Sequence, residues 1–87
     1  METVYNFING KQVPSRGTKA HPIYNPATGE QIRQVIMSNP DDVNEAIEVA
    51  HKAFADWSAT SPLRRARIMF KFKELLERDW DSLARLI

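Results

Sequence analysis

The segment Ser38-Asn-Pro-Asp-Asp-Val-Asn-Glu-Ala-Ile-Glu-Val-Ala-His-Lys-Ala-Phe-Ala-Asp-Trp57 decides the fold class, because a clear helix start is followed by one apolar stripe. Asn39 is a good N-cap, Pro40 fits the first helical position, and Asp41 and Asp42 would lie at the positive end of the helix dipole. The apolar residues then recur three or four positions apart, at Val43, Ala46, Ile47, Ala50, Ala53, Phe54 and Trp57. An amphipathic helix is therefore predicted from residue 39 onward.

The sequence upstream of this helix, residues 1–38, predicts strands and turns. Val4–Ile8 and Lys11–Val13 flank Asn9-Gly10, a dipeptide that tolerates positive φ and is typical of a type I′ turn. We therefore expect a β-hairpin at this point. Because short strands leave unpaired edges, we also expect further chain to cover them.

A second pair of strand-like segments follows the polar loop from Pro14 to Lys19. Ile23-Tyr24 leads into Asn25-Pro-Ala-Thr-Gly29, where proline fixes one dihedral angle and glycine accepts a left-handed one. Gln31–Ile36 is then predicted to be another strand.

Two more helices are predicted downstream, where Ala59-Thr-Ser-Pro62 ends the first helix and starts the next with Ser61 as cap. The second helix is apolar on two sides, which predicts two neighbours. Its main face is Ile68, Met69, Phe72, Leu75 and Leu76, and its other face is Leu63, Ala66 and Phe70. A third helical pattern begins near Asp79 or Asp81 and ends on Leu86-Ile87 with no cap, so we expect the chain to be truncated within its last helix.

Composition excludes several classes of protein. A sequence of 87 residues forms at most one small domain with a limited core. The 12 basic and 11 acidic residues give a net charge of +1, without the bias of a nucleic-acid-coating protein. The absence of cysteine excludes disulfides, thiolate metal sites and a cysteine nucleophile. No leader and no run of about 18 apolar residues is visible, so a cytoplasmic protein without a membrane partner is predicted.

No residue of this sequence is predicted to be catalytic, cofactor-binding or metal-ligating through its side chain. His21 and His51 are thirty residues apart without a ligand at short spacing, and we expect both to be solvated. Asp41 and Asp42 could form a paired carboxylate site, but their position in a first helical turn favours a capping role. A phosphate-binding loop is excluded, because no glycine of the sequence opens a helix after a strand. The glycines are Gly10, Gly17 and Gly29.

A basic stripe on the second helix leaves two interpretations open. Its members are Arg64, Arg67, Lys71 and Arg78. Two helices joined by a short turn, the second one basic, could read nucleic acid as a helix-turn-helix. Glu74 interrupts the stripe and the net charge is low, which favours a solvated or inter-subunit face without nucleic acid.

Four segments of the sequence are informative together, through their order and spacing: Phe7-Ile-Asn-Gly-Lys11, Tyr24-Asn-Pro-Ala-Thr-Gly-Glu30, Asp41-Asp-Val-Asn-Glu-Ala-Ile47 and Ala53-Phe-Ala-Asp-Trp57. With these segments, the sequence as a whole resembles the beginning of an aldehyde dehydrogenase. Thr60–Glu77 is most similar to the CoA-acylating methylmalonate-semialdehyde branch, and succinate-semialdehyde and betaine-aldehyde enzymes share the same opening architecture.

The resemblance implies an α/β parent fold with a Rossmann-type NAD domain, of which residues 1–87 would be an N-terminal α+β segment. It implies NAD and coenzyme A as cofactors of the parent enzyme, no cofactor for this segment alone, and assembly as a dimer or tetramer. The catalytic cysteine of the family would lie downstream, so the segment alone is expected to be inactive. Some members bind a monovalent cation through main-chain oxygens, which would here belong to Ile23 and Tyr24.

Overall fold

The computed structural model describes residues 2–87 and contains five short strands followed by three helices. The strands are β1 (Glu2–Val4), β2 (Asn6–Ile8), β3 (Lys11–Val13), β4 (Ala20–Tyr24) and β5 (Gln31–Ile36). The helices are α1 (Pro40–Ala59), α2 (Pro62–Arg78) and α3 (Trp80–Arg85). The predicted α+β segment, strands first and helices after, is confirmed, although its first residue, Met1, lies outside the described residues.

The chain divides into two compact units, Met1–Phe54 and Ala55–Ile87. The first unit contains the five strands and most of α1. The second contains the end of α1 together with α2 and α3, and α2 contacts α3 within it.

The predicted hairpin is present in the first unit. β2 and β3 pair antiparallel with Ile8 opposite Lys11, so that only Asn9 and Gly10 form the loop. Both loop residues have positive φ, 56° at Asn9 and 75° at Gly10, as a type I′ turn requires. The dipeptide therefore sets the register of this pair.

The prediction of one strand over Val4–Ile8 is wrong in its extent. The run is divided at Tyr5, because Val4 belongs to β1, which pairs in parallel with β5, whereas β2 pairs with β3 in a separate sheet. No glycine or proline interrupts the run Val4–Ile8, so its composition does not show that the chain changes sheets there.

The second sheet has the order β1-β5-β4, with β4 antiparallel to β5. Pro22 lies opposite Gln34 in β4, and its missing N–H suits an edge strand. The predicted turn joins β4 to β5: the Asn25 side chain accepts a hydrogen bond from the N–H of Ala27 at 2.9 Å, and the Gly29 N–H donates to the Asn25 carbonyl at 2.8 Å. This sheet supplies the partner for β1 that sequence reasoning had missed.

Helix α1 begins at the predicted residue with a reciprocal cap. The Asp42 N–H donates to Asn39 Oδ1 at 2.9 Å, and the Asn39 N–H donates to Asp42 Oδ2 at 3.2 Å. This is the arrangement of a capping box with aspartate in the third helical position. α2 also starts as predicted, with the Arg64 N–H donating to Ser61 Oγ.

No hydrophobic side chain among residues 2–87 is fully buried. On α1 the predicted apolar stripe is present but open, with Ile47 62% and Phe54 65% exposed. On α2 both predicted faces are open as well. The helices therefore have apolar faces suited to packing in a hydrophobic core, but these faces are exposed in this chain.

Candidate functional site

The buried polar group in the described part of the chain is the carboxylate of Asp42, which is 4% exposed. It lies in the first turn of α1 and faces the loop between β3 and β4. Asp42 Oδ2 accepts hydrogen bonds from Ser15 Oγ at 2.9 Å and from the Arg16 N–H at 3.0 Å, besides the capping bond from Asn39. The Arg16 guanidinium approaches Oδ1 at 3.3 Å. One carboxylate thus joins the loop to the helix start.

These contacts determine the protonation state of Asp42. Burial by itself would raise the pKa of the carboxyl group, because it disfavours the charged form. The hydrogen bonds from Ser15, Arg16 and Asn39 and the positive charge of Arg16 outweigh burial, so the pKa of Asp42 is lowered. The group is therefore a charged hydrogen-bond acceptor and a poor proton donor at neutral pH.

Arg16 extends the junction along α1. Its guanidinium also pairs with Glu45 at 3.0 Å, one turn beyond Asp42, while its side chain stays half exposed. Because the outer pair is solvated, the position of Arg16 depends mainly on its backbone bond to Asp42. The arrangement holds a loop against a helix and offers no free base or nucleophile.

A close backbone approach allows the loop to reach Asp42. An added Cβ at Gly17 would lie 1.7 Å from the carbonyl oxygen of Met37 and 3.3 Å from Ser15 Oγ. Ser15 Oγ also accepts a hydrogen bond from the Gly17 N–H and lies 3.4 Å from the same Met37 oxygen. Gly17 is therefore required for packing at this junction and does not form a phosphate loop.

The structure separates the other candidate residues. His21 and His51 are exposed, and no group of three or more metal-ligating side chains occurs among residues 2–87. Asp41 is exposed, whereas its neighbour Asp42 is buried, so the two do not form a paired site. Ile23 and Tyr24 lie at the end of β4, where the register shifts, and the proposed main-chain cation site there stays a prediction.

The capping role predicted for Asp42 is confirmed, but it is only part of what the residue does. Ser15 and Arg16 are 27 and 26 positions away from Asp42 in sequence, and nothing in their local pattern marks them as partners. The signal that could have been read is the spacing Asn39-x-x-Asp42, which indicates a reciprocal cap.

The basic stripe of α2 is divided by its ion pairs. Lys71 pairs with Glu74 at 3.3 Å, and Arg78 forms two hydrogen bonds to Asp79, at 3.0 and 2.9 Å. The hydrogen bond and charge of Asp79 raise the pKa of Arg78. Arg64 and Arg67 have no carboxylate within 4.0 Å in the described chain.

Exposed apolar side chains form three further surfaces, a groove in the first unit and one surface on each side of α2 in the second. In the first, a groove of about 300 Å³ between β2 and α1 is lined mainly by Phe7, Ile8, Val43 and Ile47. In the second, Phe70 is 70% exposed and Leu63 62% on one side of α2, while Ile68 and Phe72 are each 52% exposed. Exposed apolar surfaces of this kind mark contacts with further parts of a protein or with a partner.

Residues 13–87 match the model of the aldehyde dehydrogenase family. The chain belongs to this family. It is 49% identical over 86 residues to malonate-semialdehyde dehydrogenase 2 of Bacillus anthracis, and 44% identical over 87 residues to malonate-semialdehyde dehydrogenase 1 of Geobacillus thermodenitrificans. These matches cover 99% and 100% of this chain but 18% of each relative, so the chain spans about a fifth of the length of the dehydrogenases that it matches.

The fold is similar to that of a solved dehydrogenase. A protein from Sinorhizobium meliloti 1021 described as a methylmalonate-semialdehyde dehydrogenase, in complex with NAD, matches with a TM-score of 0.92 and 39% identity. The match covers 98% of this chain and 17% of that one. The predicted resemblance to the aldehyde dehydrogenase family, and to its malonate and methylmalonate branch, is confirmed. Within residues 2–87, no helix has both the length and the apolar character of a membrane span.

Proposed function

We propose that this chain is the N-terminal part of an NAD-dependent, CoA-acylating malonate- or methylmalonate-semialdehyde dehydrogenase. The observation that carries the proposal is the fold match over 98% of the chain to an NAD-complexed relative, together with 49% identity to a malonate-semialdehyde dehydrogenase. In the proposed reaction the semialdehyde is oxidised by NAD and decarboxylated, and the acyl group is transferred to coenzyme A. A succinate-semialdehyde dehydrogenase is the alternative within the family.

In this proposal, residues 1–87 contribute structure to the NAD-binding domain and no catalytic group. The sequence has no cysteine, so it supplies no thiol nucleophile for attack on an aldehyde. Its buried carboxylate, Asp42, is occupied by Ser15, Arg16 and Asn39 and is therefore unsuited to base catalysis.

The open apolar faces support the structural role. The chain's helices have amphipathic stripes, yet none of the hydrophobic residues described is buried. We propose that the rest of the dehydrogenase covers these faces, and that the enzyme is a cytoplasmic homodimer or homotetramer. The two-sided exposure of α2 supports two neighbours, one on each side of the helix.

The enzyme assay uses the protein expressed from the complete reading frame. We expect NADH formation with malonate or methylmalonate semialdehyde that requires coenzyme A, with slower turnover of succinate semialdehyde. The 87-residue chain alone, at equal concentration, is the control and should form no NADH. Faster turnover of succinate semialdehyde than of the two proposed substrates would contradict the proposed substrate class. NADH formation by the short chain would contradict the proposal that residues 1–87 have a structural role only.

A second test concerns the exposed faces of α2. We expect the 87-residue chain to be weakly stable or to self-associate, because Leu63 and Phe70 expose apolar surface. Light scattering would measure the association, which should decrease in Phe70→Ser and stay the same in Lys73→Ser, a change at an exposed polar position. A monodisperse monomer that melts cooperatively would show that these faces need no partner.

A further inference from the structure

A concavity of about 370 Å³ lies beside the first turns of α2 and is lined by Thr60, Arg64, Arg67 and Ile68. We propose that Arg64 and Arg67 form a binding site there for one oxyanion group, a phosphate or a carboxylate. The site goes beyond the dehydrogenase function and does not rest on it.

Three arginines near the start of the helix have no carboxylate partner, Arg64, Arg65 and Arg67, and of these Arg64 and Arg67 line the concavity. Lys71, Lys73 and Arg78 each pair with a carboxylate, at 3.3, 3.1 and 2.9 Å respectively. Arg64 and Arg67 have none within 4.0 Å among residues 2–87. Positive charge is therefore neutralised along the second half of the helix and left open in the first half.

The placement of this charge opposes the electrostatics of the helix. Cations are disfavoured near a helix N-terminus, where the dipole is positive. Even so, Arg64, Arg65 and Arg67 occupy the beginning of α2, which has no acidic residue in its first turn. A bound oxyanion would offset the repulsion between these arginines and the helix dipole, so the electrostatics of the helix start favour its binding.

The polar groups around the concavity leave recognition to the two guanidinium groups. The Thr60 hydroxyl donates to the Asp56 carbonyl oxygen at 2.8 Å, so its proton is already engaged. Ser61 Oγ accepts the Arg64 N–H, and Pro62 has no N–H to offer. Guanidinium groups bind planar or tetrahedral oxyanions through paired N–H donors, which matches the chemistry left available.

The extent of the open charge indicates a single oxyanion group. A surface that follows a nucleic acid backbone needs a series of free cations. Here the series stops after Arg67, because Lys71 is paired with Glu74 and Arg78 with Asp79.

The test is a titration of the 87-residue chain with sodium phosphate and, separately, with sodium acetate, at an ionic strength kept constant with sodium chloride. Two-dimensional ¹H–¹⁵N spectra would follow the backbone amides of residues 60–68 and the arginine Nε–H signals. We expect saturable shifts with at least one anion, and the anion that saturates at lower concentration distinguishes phosphate from carboxylate. Affinity should fall about tenfold or more in R64Q/R67Q and stay within about twofold in K73Q.

Shifts that grow linearly with both anions, or saturation unchanged in R64Q/R67Q, would overturn the proposal. So would tight binding of a short DNA duplex that K73Q weakens as much as R64Q/R67Q does, since that result indicates a continuous nucleic-acid surface. Far-UV circular dichroism checks that each variant is helical. If the short chain is not helical, the same variants are titrated in the complete enzyme, where the same two outcomes support or overturn the site.

Discussion

Substituting Gly17 by alanine should detach the loop between β3 and β4 from the start of α1. The added Cβ would lie 1.7 Å from the Met37 oxygen and 2.9 Å from the Met37 carbonyl carbon, whereas ordinary contacts begin near 3.4 Å. Both atoms are backbone and cannot rotate away. The loop or the segment after β5 must therefore move by more than 1 Å, because the contact at 1.7 Å is that much shorter than an ordinary one.

The cost of this movement follows from the bonds that it disturbs. Ser15 Oγ lies 3.4 Å from the Met37 oxygen and 2.9 Å from Asp42, and the Met37 N–H donates to Lys19 at 2.8 Å. Overpacking costs about 1–3 kcal/mol, and each hydrogen bond lost adds about 1 kcal/mol. We therefore expect the attached loop to lose about 2–4 kcal/mol of stability.

Limited trypsin digestion would measure this loss, because Arg16 and Lys19 lie in the loop. When cleavage follows transient opening, the cleavage rate scales with the population of the open loop. A loss of about 2–4 kcal/mol therefore corresponds to a cleavage rate that is roughly 30- to 1,000-fold higher. This increase cannot exceed the factor by which the wild-type loop is protected. Thr18→Ala is the matched control, since it changes the neighbouring residue without adding an atom at the contact. An unchanged cleavage rate after Arg16 in Gly17→Ala would refute the close approach of Gly17 to the Met37 backbone.

Three further predictions concern the cap, the hairpin and pH. Asn39→Ala should lower the free energy of unfolding by about 1 kcal/mol, through loss of the cap on the Asp42 N–H, while Asn39→Ser should retain most of it; urea unfolding followed by circular dichroism would compare them. Gly10→Ala should cost about 1–2 kcal/mol, because φ is 75° there, whereas Asn9→Gly should be nearly neutral; equal unfolding midpoints for the two would contradict the type I′ turn. Because the pKa of Asp42 is lowered in the folded protein, the Asp42 carboxylate stabilises the fold above its ordinary pKa near 3.8. This stabilisation is lost as the pH falls through the pKa of Asp42 in the folded protein. Melting temperatures from pH 7 to 2 should therefore fall less in Asp42→Asn than in wild type, starting from a less stable protein at pH 7, and parallel curves would disprove this linkage.

Local features of the fold could be predicted from the sequence because their causes are local. Asn9-Gly10 requires no distant residue to form its turn, and Asn39-Pro40 starts α1 through its own side chain and fixed dihedral angle. Ser61-Pro62 starts α2 in the same way. Each of these three signals identified its element at the correct residue.

The long-range features could not be predicted because they depend on residues that are distant in sequence. Val4 pairs with Val35, and Ser15 and Arg16 contact Asp42 across 27 and 26 positions. A polar loop gives no sign of the carboxylate that it will contact. The apolar stripes were recognised correctly, but their pattern does not reveal that Ile47 and Phe54 stay exposed in this chain.

The pairing of β1 with β5 has a consequence for the order in which the chain assembles during synthesis. Glu2–Val4 pairs with Arg33–Val35, so the first strand has no partner until the ribosome has added about thirty more residues. At roughly 5–20 residues per second this interval is about 2–6 s, whereas a hairpin such as β2–β3 closes in about 1–10 μs. The first of the five strands would thus wait longest for its partner, and for those seconds its exposed edge would be open to chaperones or to other nascent chains.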